Sequence, residues 1–112
     1  MTINELNQLL NKHAVNFTTT MQVIDDNYSF NPVKFINGDA VNEENTNNGS
    51  CKIFSYAKLQ GLSEQATLNA FGDFYTKDVL ENPKANDHAN IRNFMKTGWE
   101  GIEFFNQALH EI

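Results

Sequence analysis

Cys51 is the one cysteine of the chain, and it stands in NNGSCKIF, residues 47–54, where a polar run turns apolar in a single step. With Ser50 as a helix N-cap, the thiol would occupy the first helical position. Unpaired backbone N–H groups and the positive end of the helix dipole favour an anion there. Lys52 adds a neighbouring positive charge. Both effects lower a thiol pKa, and the thiolate is the reactive form. A nucleophile of this kind needs a base. His88, in DHANIRNF at residues 87–94, is the candidate, with Asp87 or Asn90 to orient the ring. The competing reading makes Cys51 a small hydrophobe tucked beneath Ile53 and Phe54, because free cysteine is among the most buried residue types.

The same two segments offer other chemistry. Gly49, a helix start and Lys52 are materials for cradling a phosphate or carboxylate, although the full Gly-rich phosphate-loop spacing is absent. His88 and Arg92 are four residues apart and share a helix face. With Asp87 or Glu43 they could line a polar pocket; as a cap and a surface ion pair they would contribute little. His13, His88, His110 and Cys51 show no H-x-x-x-H or C-x-x-C spacing, and Asp39, Glu43 and Glu44 lack the alternation of a calcium loop. No metal and no cofactor is expected.

Helices must position these groups. Thr2-x-x-Glu5 is a capping box, followed by Ile3, Leu6, Leu10 and Ala14 at helical spacing. The period continues through Phe17, Met21, Ile24 and Tyr28, with a break expected near Asn16 and one long helix as the alternative. VKFING, residues 33–38, favours a strand and an Asn37-Gly38 type I′ turn, hence a short hairpin over 33–42. Residues 42–50 are a polar loop. A helix is expected from Ser50 to Gly61, a second from Ser63 through Leu80, and a third from Asn86 or Asp87 to Gly98. Residues 99–112 fit a strand and helix, or helix throughout. The expected fold is mainly α, a compact small helical domain with the hairpin as its β element, and α+β is the alternative.

A length of 112 residues suits one domain spanning 1–112, and 40% hydrophobic content is ordinary for a globular chain. Eight basic against fourteen acidic side chains leave a formal charge of −6, which argues against nucleic acid and against an anionic membrane as partners. The opening MTINELNQLLNKH has no basic region and no apolar run, so neither a signal peptide nor a membrane span is expected. A lone cysteine points to a reducing, cytoplasmic compartment, with export by a route lacking a cleaved signal left open. Asparagine occurs seventeen times, so no single one carries much weight.

FNPVKFINGDAVNE, NNGSCKIFSYAKLQGLS, TLNAFGDFYTKDVL and DHANIRNFMKTGWEGIEF, in this order and spacing, resemble the HopJ type III effector family, over about Phe17 to Phe104. GSCK with DHxNIRNFM and GW is the specific combination. The chain departs from the family pattern at Thr76-Lys77, where an Arg is common after the aromatic pair. The resemblance implies a bacterial protein tied by name to type III secretion, and it implies no particular enzymatic activity. The family's recurrent residues would fall on Asn37, Gly38, Asn42, Asn48, Gly49, Ser50, Cys51, Lys52, Asp87, His88, Asn90, Arg92, Asn93 and Trp99. If the 42–52 and 87–93 segments meet, they enclose a polar cleft on a helical scaffold. Its ligand-binding set would be Asn42, Glu43, Asn48, Ser50, Lys52, Asp87, Asn90 and Arg92. The function so expected is an effector-like or accessory protein acting on an unidentified small ligand or protein partner. The alternative is a small hydrolase or transferase using Cys51 and His88.

Overall fold

The computed structural model describes residues 1–112. Helix α1 (Ile3–Leu10) opens with the full capping box: Thr2 Oγ1 accepts from the Glu5 N–H at 3.1 Å, and the Thr2 N–H donates to Glu5 Oε1 at 2.9 Å. The break falls at Asn16, whose Oδ1 accepts from the Thr18 N–H at 3.2 Å and starts α2 (Phe17–Asn27). Leu6, Leu10, Val23 and Ile24 face the core from these two helices. The apolar period runs on to Tyr28, but that residue is already extended and begins β1 (Tyr28–Phe30).

The hairpin forms where expected, as β2 (Phe35–Asn37) and β3 (Ala40–Asn42), but its turn is displaced by one residue. Asn37 pairs with Ala40, so Gly38 and Asp39 make the turn. Gly38 takes φ +63 and Asp39 does not enter the left-handed region. Glycine first is the type II′ pattern rather than type I′. Asn37 stays in the strand because its amide is wanted inside, where it is fully buried.

Helix α3 (Asn48–Gln60) ends at Gly61 (φ +64) as expected and starts earlier than expected. Asn47, with φ +51, is the residue before the first turn, so Ser50 is the third helical residue and caps nothing. Ser63 does cap α4 (Glu64–Asn69), accepting from the Ala66 N–H at 3.1 Å. The single helix expected from Ser63 to Leu80 is broken at Gly72, where φ is +60. Beyond it, Phe74–Val79 winds as a π-helical turn, a geometry frequent at functional sites. Helix α5 (Ala89–Thr97) follows a left-handed His88 (φ +51) and stops at Gly98 (φ +56).

After a 3-10 turn at Gly98–Gly101, the tail forms β4 (Ile102–Phe104) and β5 (Leu109–Glu111), not a helix. Strand β4 pairs antiparallel with β2 to complete a β3-β2-β4 sheet, and β5 pairs antiparallel with β1. The architecture is therefore α+β, which corrects the mainly-α expectation. Each strand has three residues, too few to display a period, and its partner lies far away in the chain, as in Phe35 opposite Phe104.

One core draws on buried residues from Leu6 to Leu109. At its centre Phe54 meets Phe94 at 4.9 Å, Phe71 at 5.5 Å and Phe35 at 6.2 Å between ring centroids. Tyr56 is fully buried and its hydroxyl donates to Asn7 Oδ1 at 2.6 Å, tying α3 to α1. No helix is long and apolar enough to cross a membrane.

Candidate functional site

The two segments singled out in the sequence do face each other. They wall a cleft of about 490 Å³, open to solvent. Ala40, Val41 and Asn42 of β3 form one side, and Asn47, Gly49 and Ser50 at the start of α3 form the floor beside it. His88, Ala89, Asn90 and Ile91 at the start of α5 stand opposite. Phe17, Phe71 and Phe74 close the apolar end.

Asparagine amides lock the hairpin to α5. Asn42 and Asn90 bond reciprocally: Asn90 Nδ2 donates to Asn42 Oδ1 at 2.9 Å, and Asn42 Nδ2 donates to Asn90 Oδ1 at 3.1 Å. Asn37 Nδ2 donates to the Asn90 carbonyl at 2.7 Å and to Asn90 Oδ1 at 3.1 Å. Asn47 Nδ2 adds a bond to Asn42 Oδ1 at 2.8 Å, which joins the α3 start to the same network. One turn further along α5, Asn93 Nδ2 donates to the Asn37 carbonyl at 3.0 Å. Asn37, Asn42 and Asn90 are buried. Their amide nitrogens are all partnered, which is what makes their burial tolerable, although Asn37 Oδ1 has no hydrogen-bond partner.

His88 has a different set of partners. Its Nε2 lies 3.0 Å from Asp78 Oδ2, on the π-helical turn, and 3.8 Å from Asp87 Oδ2. Its ring packs on Phe74 at 5.3 Å, and Phe74 meets Phe17 edge-on at 5.0 Å. Arg92 holds this corner in place. It donates to the Asp87 carbonyl at 2.6 Å, the Asn82 carbonyl at 3.0 Å and the Asp78 carbonyl at 3.4 Å, and to Asp87 Oδ1 at 2.7 Å. The guanidinium thereby ties the loop from 78 to 88 to α5. Its hydrogen bond to Asp87 holds that carboxyl below the usual carboxylate range. Asp87 and Arg92 are thus an exposed carboxylate and a loop clamp, and neither lines the cleft.

Helix α3 enters the cleft with an open first turn. Its Asn47 makes no side-chain cap, and the first intrahelical bond runs from the Cys51 N–H to the Asn47 carbonyl at 3.0 Å. Ser50 lines the cleft. Gly49 packs closely on its neighbour: a Cβ there would lie 2.9 Å from Phe17 Cζ, so the ring would have to shift. Lys52 points elsewhere, to Asp25 Oδ1 at 2.9 Å and over the Phe30 ring at 5.0 Å. Glu43 pairs with Lys34 at 3.6 Å on the surface, and Asn48 is outside the cleft lining.

Cys51 is 1% exposed, with Sγ 3.9 Å from the Val33 carbonyl. Burial pushes its thiol up, the reverse of the shift expected for a residue at the helix start. The reason is rotational: with α3 beginning at Asn48, position 51 faces the core while position 50 faces the cleft. No hydrogen bond joins Cys51 to His88, and the thiol is not part of the cavity that His88 lines. Iodoacetamide is expected to leave Cys51 intact in native buffer and to alkylate it fully in denaturant. A native rate equal to that of a free thiol would contradict the sealed geometry.

Asp78, Asn47, Phe17 and Phe74 belong to the site and were not candidates from the sequence. Asp78 and Phe74 fall inside a block of the family pattern. Their approach to His88 depends on the Gly72 break and the π-helical turn, which no spacing announces. A profile described as HopJ type III effector protein matches residues 3–109, so the similarity takes in α1 and the tail as well. The crystal structure of the unknown function protein VPA0580 is 50% identical in sequence, covers 100% of this chain and 95% of that chain, and superimposes with a TM-score of 0.96. Among curated proteins nothing matches.

Proposed function

The chain belongs to the HopJ type III effector protein family, and from that premise we propose that it is an effector-like or accessory protein acting by binding a small ligand or a partner segment in the cleft between residues 40–50 and 88–91. One observation carries this reading. Asn42 and Asn90 are 48 residues apart, yet they bond directly, and the segments around them wall a single cavity. Loop segments on a rigid scaffold with convergent polar groups are where ligands are usually held. Delivery from the bacterial cytoplasm through a type III system belongs to the same proposal and leans on the family description. The hydrolase or transferase reading built on Cys51 finds no support in a sealed thiol whose would-be base is bonded to Asp78.

The test is a screen of neutral fragments followed by amide chemical-shift mapping on the whole chain. Hits are expected to perturb Asn42, Asn47, Ser50 and Ala89. His88→Ala is expected to weaken them about tenfold, equivalent to roughly 1.4 kcal/mol. Cys51→Ser is expected to leave their affinity unchanged. Hits that gather instead around Lys58 and Leu59, on a separate surface cavity, would overturn the reading.

A further inference from the structure

We propose that the cleft takes a flat, uncharged molecule bearing a carboxamide, whose N–H is accepted by His88 Nδ1; this rests on the cleft being the binding site. The wall chemistry leads to that class by elimination and by match.

Charge comes first. No Lys, Arg, Asp or Glu side chain lines the cavity, and the chain carries a formal −6. A charged ligand would give up part of its hydration in the cleft without gaining a counter-ion. Shape comes next. Phe17, Phe74 and His88 make a continuous ring surface, and Phe74 is 39% exposed although it is large and apolar. An exposed aromatic at a cavity mouth suits a flat ring packed against it.

The hydrogen-bonding edge comes last. A carboxylate only accepts, so the 3.0 Å contact to Asp78 makes His88 Nε2 the protonated nitrogen. In the neutral ring Nδ1 is then a bare acceptor, and no group of the protein bonds it. Across the cleft the Ser50 hydroxyl also has no partner in the protein and is free to donate. The Asn42 and Asn90 amides between them are largely satisfied by each other. An acceptor on one wall and a donor on the other call for a ligand whose N–H and C=O point in different directions, as those of a primary carboxamide do. His88 is held at φ +51, uncommon for a residue with a side chain, and strained positions concentrate at binding sites. Arg92 and Asp78 act on the ligand only through His88, as positioning residues.

The probe is benzamide, titrated into the full chain by amide shifts, with benzoate and N,N-dimethylbenzamide as ring-matched controls. Benzamide is expected to perturb Ser50, His88 and Phe74. Both controls are expected to bind at least about tenfold more weakly, since one is charged and the other has no N–H. Imidazole nitrogen shifts are expected to show the Nε2–H tautomer of His88. Asp78→Asn, which can donate to that nitrogen, should weaken benzamide about fivefold or more. His88→Gly takes the left-handed backbone freely, so it should stay folded and lose benzamide. If dimethylbenzamide or benzoate binds the cleft as tightly as benzamide, the ligand class is wrong while the cleft stands as a binding site. An Nδ1–H tautomer, or benzamide shifts confined to other surfaces, would equally overturn the assignment.

Discussion

Gly72→Ala is expected to be strongly destabilising, by about 4 kcal/mol. Two costs combine. The left-handed backbone at φ +60 penalises any Cβ by about 1–2 kcal/mol. The new Cβ would also lie 2.7 Å from the Val15 carbonyl oxygen and 2.9 Å from the Phe17 nitrogen. Those atoms are backbone and cannot rotate away, so the overpacking costs a further 1–3 kcal/mol or so. Val15 is itself held there, its N–H donating to the Asn69 carbonyl at 2.9 Å. The clash therefore pushes the α1–α2 connection off α4. A thermal midpoint lower by roughly 15 °C is the expected reading in calorimetry. Phe17 and Phe74, which flank the break, should lose their edge-on contact, so ring-current shifts at the cleft should collapse in whatever fraction stays folded. A midpoint within a degree or two of the wild type would mean that the close approach to residues 15–17 does not exist.

Asn90→Ala should cost about 3 kcal/mol. It removes two bonds accepted by Asn90 Oδ1 and one donated by its Nδ2, while Asn42 keeps its bond from Asn47 Nδ2 and a long contact to the Ala40 carbonyl. Each of the three bonds contributes about 1 kcal/mol net, and the partners that Asn42 keeps spare it the further cost of an orphaned buried group. The informative experiment is a double-mutant cycle with Asn42→Ala. Once one partner is gone, most of the penalty has been incurred, so the second deletion should be cheap. The double variant is expected to fall short of the sum of the singles by about 1–2 kcal/mol. Strict additivity in denaturant melts would show that the reciprocal pair is not formed in solution. Asn93→Ala, which removes one bond to the Asn37 carbonyl and one to Asp39 at a site less enclosed, should cost much less.

The two variants mark out two kinds of information. The Thr2-Glu5 capping box, the Asn16 break, the Ser63 cap and the stops at Gly61 and Gly98 are all readable in the sequence, and all occur. Each is decided by a side chain reaching a backbone group within four residues, or by a glycine taking a conformation that other residues avoid. Where two local signals competed, the reading slipped. Ser50 is a good cap, but the left-handed Asn47 starts the helix first, and three residues of phase separate a reactive thiol from a buried one.

By itself, the sequence determined most of the helices and many of their ends, the hairpin and the family, and it singled out residues 42–52 and 87–93, which do lie against each other. The tertiary structure alone decided that Cys51 turns inward and Ser50 outward, that Asp78 stands behind His88, and that the last residues return as strands to β1 and β2. The physical difference is range. A cap or a turn gains its free energy from neighbours along the chain, so composition and spacing carry it. Burial of a thiol, pairing of an imidazole and closure of a sheet gain theirs from groups that only the folded backbone brings within a few ångströms.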